Sequence, residues 1–142
     1  MPTDASEFER LVAEAYDLES GETKSMQALD ALWRAVFELE NWYFITLPEP
    51  DKAMYPLVGV IDGLNWFYAF TDEALLQQFA RKENLVDEEK GAYLISVPTK
   101  DILPWLEEVR ANGVYGIRFN QGDFGWYVPL ENFAAIYEHL FS

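Results

Sequence analysis

Cysteine is absent from this 142-residue chain, and histidine occurs once. The first absence excludes disulfides, thiolate nucleophiles and cysteine-based metal sites. The second leaves all imidazole chemistry to His139, on a predicted terminal helix where a surface role is the plain expectation. Basic residues are scarce as well, with 10 Lys and Arg against 25 Asp and Glu, a formal charge of −15. The acids are spread along the chain: residues 1–40 hold ten acids and three bases. A chain of this kind lacks the basic footprint that nucleic acid or anionic lipid requires, so neither is an expected partner. No apolar run is long enough to span a bilayer, and residues 1–20 carry acids in place of a signal peptide's apolar stretch, so a cytoplasmic, bacterial-type protein is expected. GxSxG, Walker A, GxGxxG and EF-hand spacings are all missing, and no cofactor or metal is expected.

What is present is a substantial apolar content, 50% of residues, with 16% aromatic. That is enough for one ordinary domain with a real core. Helical spacing recurs through Phe8, Leu11, Val12, Ala15 and Leu18, with Asp4 or Ser6 as cap, and again through Met26, Leu29, Leu32, Trp33, Val36 and Phe37, capped by Thr23 or Ser25. Residues 1–38 therefore read as an αα-hairpin. From Trp42 the period becomes strand-like. WYFITL (42–47) ends in a proline-rich loop, and PLVGVI (56–61) meets LNWFYAF (64–70) through Asp62-Gly63, a strong two-residue hairpin signal. That turn pairs Ile61 with Leu64 and Gly59 with Trp66, placing the indole over the glycine. Both faces of the hairpin are apolar, so a sheet at least partly covered on both sides is expected. Thr71 is the expected cap of a helix through Leu75, Leu76 and Phe79. GAYLISV (91–97) is a strand, Thr99 caps a helix through Ile102, Leu103, Leu106 and Val109, and Pro104 lies late in its first turn. VYGIRF (114–119) and FGWYV (124–128) form a second hairpin, and Pro129-Leu130 opens a last helix. The order αα-β-ββ-α-β-α-ββ-α implies an α+β domain, a mixed, mostly antiparallel sheet with flanking helices.

Paired acids are plentiful at Asp72-Glu73, Asp87-Glu88-Glu89 and Glu107-Glu108. General acid–base chemistry needs two carboxyls in contrasting environments, whereas these sit at a helix start, in a charged loop and on an exposed helix face. Asp123 stands at a hairpin tip among aromatics, where turn chemistry explains it. The tip itself, Asn120-Gln121-Gly122-Asp123, joins strand to strand and so lacks the helix N-terminus of a phosphate loop. Parity places Tyr115, Ile117 and Phe119 on the face of Phe124, Trp126 and Val128, and leaves Arg118 opposite Gly125 and diagonal to Tyr127, in reach of a cation–π contact. Strand aromatics this dense cannot all fill one side of a sheet. A contact surface built from Trp66, Tyr68, Phe70, Arg118, Asn120, Asp123, Trp126 and Tyr127 is the resulting expectation.

The segments NWFYAFTDEALLQQFA (65–80), Thr99-Lys100-Asp101-Ile102-Leu103 and NGVYGIRFNQG (112–122) carry a resemblance. Across roughly residues 40–140 the chain resembles the N-terminal domain of the SseB family, small bacterial proteins linked to enhanced serine sensitivity. The family's usual Asn-Pro step is Asn120-Gln121 here, the second domain of longer members is not in this sequence, and residues 1–38 have no counterpart. The resemblance implies an α+β domain and supplies no catalytic residues.

These observations favour a non-catalytic binding or regulatory module for a protein or peptide partner. An acidic immunity or inhibitor protein for a basic partner is a second reading, and a small enzyme using carboxylates such as Asp123 and Asp72 a third. A strand edge or an uncovered face of the helical pair offers a route to a homodimer.

Overall fold

The computed structural model describes residues 5–17, 19–20, 22–46, 56–86, 93–110, 113–121 and 125–141. Two helices come first, α1 (Ala5–Ala15) and α2 (Met26–Phe37). Of the two candidate caps for α2, Ser25 serves: its hydroxyl accepts from the Ala28 N–H at 3.1 Å. Thr23 pairs instead with Tyr16 in a short antiparallel bridge. The Asp17 carboxylate accepts from the backbone N–H groups of Glu19 and Ser20, which together hold it below the usual carboxylate value.

Then follow β1 (Asn41–Ile45), β2 (Val58–Ile61), β3 (Leu64–Phe70), α3 (Glu73–Lys82), β4 (Leu94–Pro98), α4 (Ile102–Arg110), β5 (Gly116–Phe119), β6 (Trp126–Pro129) and α5 (Phe133–Phe141). The expected order of elements is the observed one. The strands form a single mixed sheet in the order β4-β1-β3-β5-β6, with β2 also on β3. Phe67 pairs with Val58 of β2 and Ile117 of β5, while Ala69 pairs with Phe44 of β1 and Phe119 of β5. β1 and β2 therefore share one edge of β3, end to end, and β5 takes the other. The β3–β5 pair is parallel and the other pairs antiparallel. A parallel pair needs a long crossover, and α3, β4 and α4 provide it.

Asp62 and Gly63 both have positive φ, 52° and 78°, as a primed two-residue turn demands. The register is the expected one, Ile61 opposite Leu64 and Gly59 opposite Trp66. The hairpin is less covered than its composition suggests, because Val58, Val60 and Leu64 near its turn are exposed. The second hairpin differs in its loop. Phe119 pairs with Trp126 and Arg118 with Tyr127, so the strands meet two residues later than a four-residue loop would allow. A slip of two keeps the paired strand residues on their expected faces, and Ile117 still shares a face with Trp126 and Val128.

Two caps also differ. Asp72, not Thr71, caps α3, accepting from Leu75 N–H at 2.8 Å. Thr99 makes no side-chain capping bond; a 3-10 turn over Thr99–Asp101 leads into α4, and Pro104 then falls in the first turn, where its missing N–H costs nothing. Thr71 is freed for another role. It is buried, and so is Asn120, whose carbonyl oxygen accepts from Thr71 N–H at 3.0 Å while its amide donates to the Thr71 hydroxyl at 3.1 Å. Asn120 holds φ of 50° and its own N–H bonds Ala69 O at 2.8 Å. This clamp locks the C-terminal ends of the two parallel strands together.

The inner face of the sheet carries Trp42, Phe44, Phe67, Ala69, Val97, Ile117, Phe119, Trp126 and Val128 against α1, α2, α4 and α5. Trp33 of α2 meets Phe119 at 5.6 Å, Trp126 at 6.3 Å and Phe133 at 5.6 Å, each edge-on, and Phe8 of α1 stacks on Trp126 at 6.2 Å. The helical pair is thus built into the same core as the sheet. On the outer face, α3 lays Leu76 and Ala80 over Ile45 and Phe70 in a second, smaller core. Among the described residues, no helix is long and apolar enough to cross a membrane.

Asn120→Ala removes the acceptor of a buried N–H and keeps a Cβ at positive φ, so it should destabilise the fold by about 2–4 kcal/mol in urea denaturation. Thr71→Val, which loses only the hydroxyl, should cost about 1 kcal/mol, and an equal effect of the two variants would refute the clamp.

Candidate functional site

Strand alternation aims Gly59, Trp66, Tyr68, Gly116, Arg118 and Tyr127 at the outer face. Their pairing brings them side by side: Gly59 with Trp66, Trp66 with Gly116, Tyr68 with Arg118, and Arg118 with Tyr127. α3 covers only the Phe70 end of this surface. Its Phe79 ring lies 5.4 Å from Phe70 and 5.2 Å from Tyr68, and beyond it no described helix covers the face. Tyr127 is 55% exposed and Tyr115 41%.

Two glycines shape the surface. A Cβ on Gly59 would strike the Tyr68 ring, 2.7 Å from Cε2, so the phenol and not the Trp66 indole lies over Gly59. A Cβ on Gly116 would come 2.8 Å from Cζ3 of Trp66 and meet the Val128 carbonyl, so the indole occupies the space over the neighbouring parallel strand. Both are strand glycines that admit a close approach, but the indole expected over Gly59 lies over Gly116 instead.

Trp66 is the hub of the open region. Tyr115 meets it edge-on at 5.1 Å and Tyr127 at 5.4 Å. Strand parity assigns Tyr115 to the inner face, but it lies one residue before β5 and directs its ring to Trp66. The Arg118 guanidinium sits 4.4 Å from the Trp66 ring centre and 5.1 Å from that of Tyr127, so the expected cation–π contact is present and includes a second ring. Stacking uses the flat faces of the guanidinium and leaves its in-plane N–H groups for other acceptors. Arg118 Nε is buried without a hydrogen-bond partner, and among the described residues no carboxylate pairs with this side chain. Burial pushes the Tyr68 phenol above its ordinary value; the Arg118 charge opposes that rise and Glu83 adds to it.

A groove of about 500 Å³ continues from Tyr68 toward α3, lined by Leu57, Gly59, Phe79, Lys82 and Gln121 among others. A larger hollow of about 750 Å³ lies between the end of α2 and the start of α4, with Phe37, Leu103 and Tyr137 in its walls and Glu40 and Lys100 beside them. None of the expected contact residues reaches that hollow. The outer face is the stronger site because aromatic rings converge on it together with a cation that has no ion-pair partner among the described residues.

The eight expected contact residues divide sharply. Tyr68, Arg118 and Tyr127 are together on the open face. Trp66 is on that face but only 2% exposed, supporting its neighbours from beneath. Phe70 is buried under α3, Asn120 is spent on the clamp, and Trp126 points to the opposite face, stacked on Phe119 at 4.9 Å, so these three are not contact residues. Asp123 lies outside the described residues, as does the Asp87-Glu88-Glu89 run. Tyr115, Phe79, Lys82 and Gln121 were not expected. The two strand glycines were the available signal, since each marks a place where a ring crosses the backbone.

Asp72 is a helix cap, and His139 is exposed with Asp30 3.2 Å away. Among the described residues, no group of three or more His, Asp and Glu side chains converges as a metal site would require. The arrangement is suited to recognition by ring contact and hydrogen-bond donation. No protein-family model and no curated protein matches the chain.

Replacing Arg118 by Gln removes the charge that holds the Tyr68 phenol down. In ¹³Cζ-tyrosine NMR titration, Tyr68 should then deprotonate at higher pH than in the parent, and an unchanged or lower midpoint would show that the charge does not reach the phenol. Because the folded-state value is raised, the stability this phenol contributes is complete below the ordinary value of 10.0 and is lost as pH rises through the folded value.

Proposed function

We propose that this protein is a cytoplasmic, non-catalytic binding or regulatory module that engages a protein or peptide partner through the open part of its outer sheet face. The observation that carries this reading is the cluster of Tyr115, Tyr127 and Arg118 around a buried Trp66. Trp, Tyr and Arg are the residues that most often dominate binding energy at protein interfaces, and here the supporting indole is already fixed. The resemblance of residues 40–140 to the SseB N-terminal domain is consistent with this reading and assigns it no chemistry.

The net charge of −15 favours a second reading, an acidic immunity or inhibitor protein whose partner is basic. Attraction between a strongly acidic surface and a basic partner is screened by salt, whereas ring contacts are much less so.

Photocrosslinking separates these readings. A benzophenone amino acid at Tyr127 should yield a discrete adduct in cells, while the same group at Met26, 63% exposed on α2, should not. An adduct from Met26 and none from Tyr127 would place the contact surface elsewhere. A Tyr127 adduct whose crosslinked partner is strongly basic, and which is lost from lysate between about 0.05 M and about 0.5 M salt, would favour the basic-partner reading. Tyr127→Ala should weaken the complex while lowering stability by only about 1 kcal/mol, through its lost contacts with Trp66 and Arg118.

A further inference from the structure

We propose that the occupant of the outer face is an extended peptide segment bearing acidic side chains, whose carboxylates are received by Arg118 and Lys82. The inference rests on the binding-face reading above and deepens it. It begins from how cations are used in a chain that has so few of them. Arg10 is enclosed by Glu7 and Glu14, and Arg34 donates to the Leu140 carbonyl at 2.9 Å while lying over Phe141. Arg118 is different. Its guanidinium lies over both Trp66 and Tyr127, and no carboxylate among the described residues takes its terminal Nη donors. Lys82 lines the adjoining groove and likewise has no carboxylate partner there.

The groove beside them adds the Tyr68 phenol and the Gln121 amide, and among the described residues Glu83 is the one acid that lines it. On a chain with 25 acids, this is a local excess of cations and donors. A basic occupant would bring like charges against Arg118 and Lys82, and a neutral one would offer the guanidinium fork carbonyl acceptors without an opposite charge. A carboxylate satisfies the fork, and a charge-assisted bond of this kind is stronger than a neutral one. The walls formed by Leu57 and Phe79, and the exposed rings of Tyr115 and Tyr127, provide apolar surface on either side of the cations. Carboxylates alternating with apolar side chains along an extended backbone fit that pattern.

The test is fluorescence anisotropy of the full chain with three fluorescein-labelled, C-terminally amidated octapeptides alternating Leu with Glu, Gln or Lys. Amidation confines the carboxylates to side chains. The Glu peptide should bind about tenfold or more tightly than the Gln peptide, and the Lys peptide least. Arg118→Gln should remove the preference for Glu over Gln, and Lys82→Gln, at an exposed helix position, should reduce it severalfold without changing the melting temperature. Arg118→Lys retains the charge without the fork, and should recover only part of the preference. Equal binding of all three peptides, abolished by Tyr127→Ala, would overturn the acidic class while leaving the binding face in place. Tighter binding of the Lys peptide would overturn it in favour of a basic partner. No binding of any peptide would overturn both the class and the peptide mode of the face.

Discussion

Strand β3 is hydrogen-bonded along both edges, and the parallel pair it makes with β5 positions everything else. An antiparallel neighbour can arrive through a short turn, as β2 does through Asp62 and Gly63. β5 arrives only after α3, β4 and α4, so the pairing cost is that of closing a long loop. The Asn120–Thr71 clamp stands where such a pair is most easily frayed, at its C-terminal end. A buried amide that satisfies both a backbone N–H and a hydroxyl is specific to one register. A one-residue slip would separate these partners and also turn Phe119 and Ile117 out of the core.

With β3 and β5 fixed, the two faces of the sheet have different fates. Four helices cover the inner face, and α1 and α2 contribute Phe8, Trp33 and Val36 to a core continuous with the strands. Among the described helices, the outer face receives α3 alone. One helix is about 10 Å wide and adjacent strands are about 4.8 Å apart, so a single helix covers roughly two strands. α3 lies over Ile45 of β1 and Phe70 of β3, and among the described residues no helix covers β5 and β6 on that side. There the chain protects its own surface: Trp66 crosses Gly116, and Arg118 and Tyr127 lie around the indole. Strand glycines and a stacked cation replace the missing helix, and the same arrangement makes the surface suited to recognition.

Much of this was legible in particular residues. The helical spacing from Phe8 to Ala15, the turn at Asp62-Gly63 and the apolar runs gave the order of elements correctly, because each depends on neighbours within a few positions. Caps were less legible. Thr71 and Asp72 are both good N-cap residues, and the choice was made by Asn120, 49 positions away from Thr71. The second hairpin shows the same division. Parity along β5 and β6 was correct, but the register moved by two, because a loop without a defining two-residue turn does not fix where pairing begins.

The candidate site follows that boundary closely. The sequence by itself determined that Arg118 and Tyr127 share a face, that the aromatic strands are apolar on both sides, and that no cysteine or histidine cluster is available for chemistry. The parallel pairing of β3 with β5 brought Tyr68 beside Arg118. Tertiary structure alone decided that Trp126 and Phe70 are sealed, that Trp66 lies over Gly116, and that Tyr115 and Lys82 join the open surface. The reason is geometric. Periodicity states that the two faces of a strand differ, while the covering of each face depends on helices and strands brought in from distant parts of the chain.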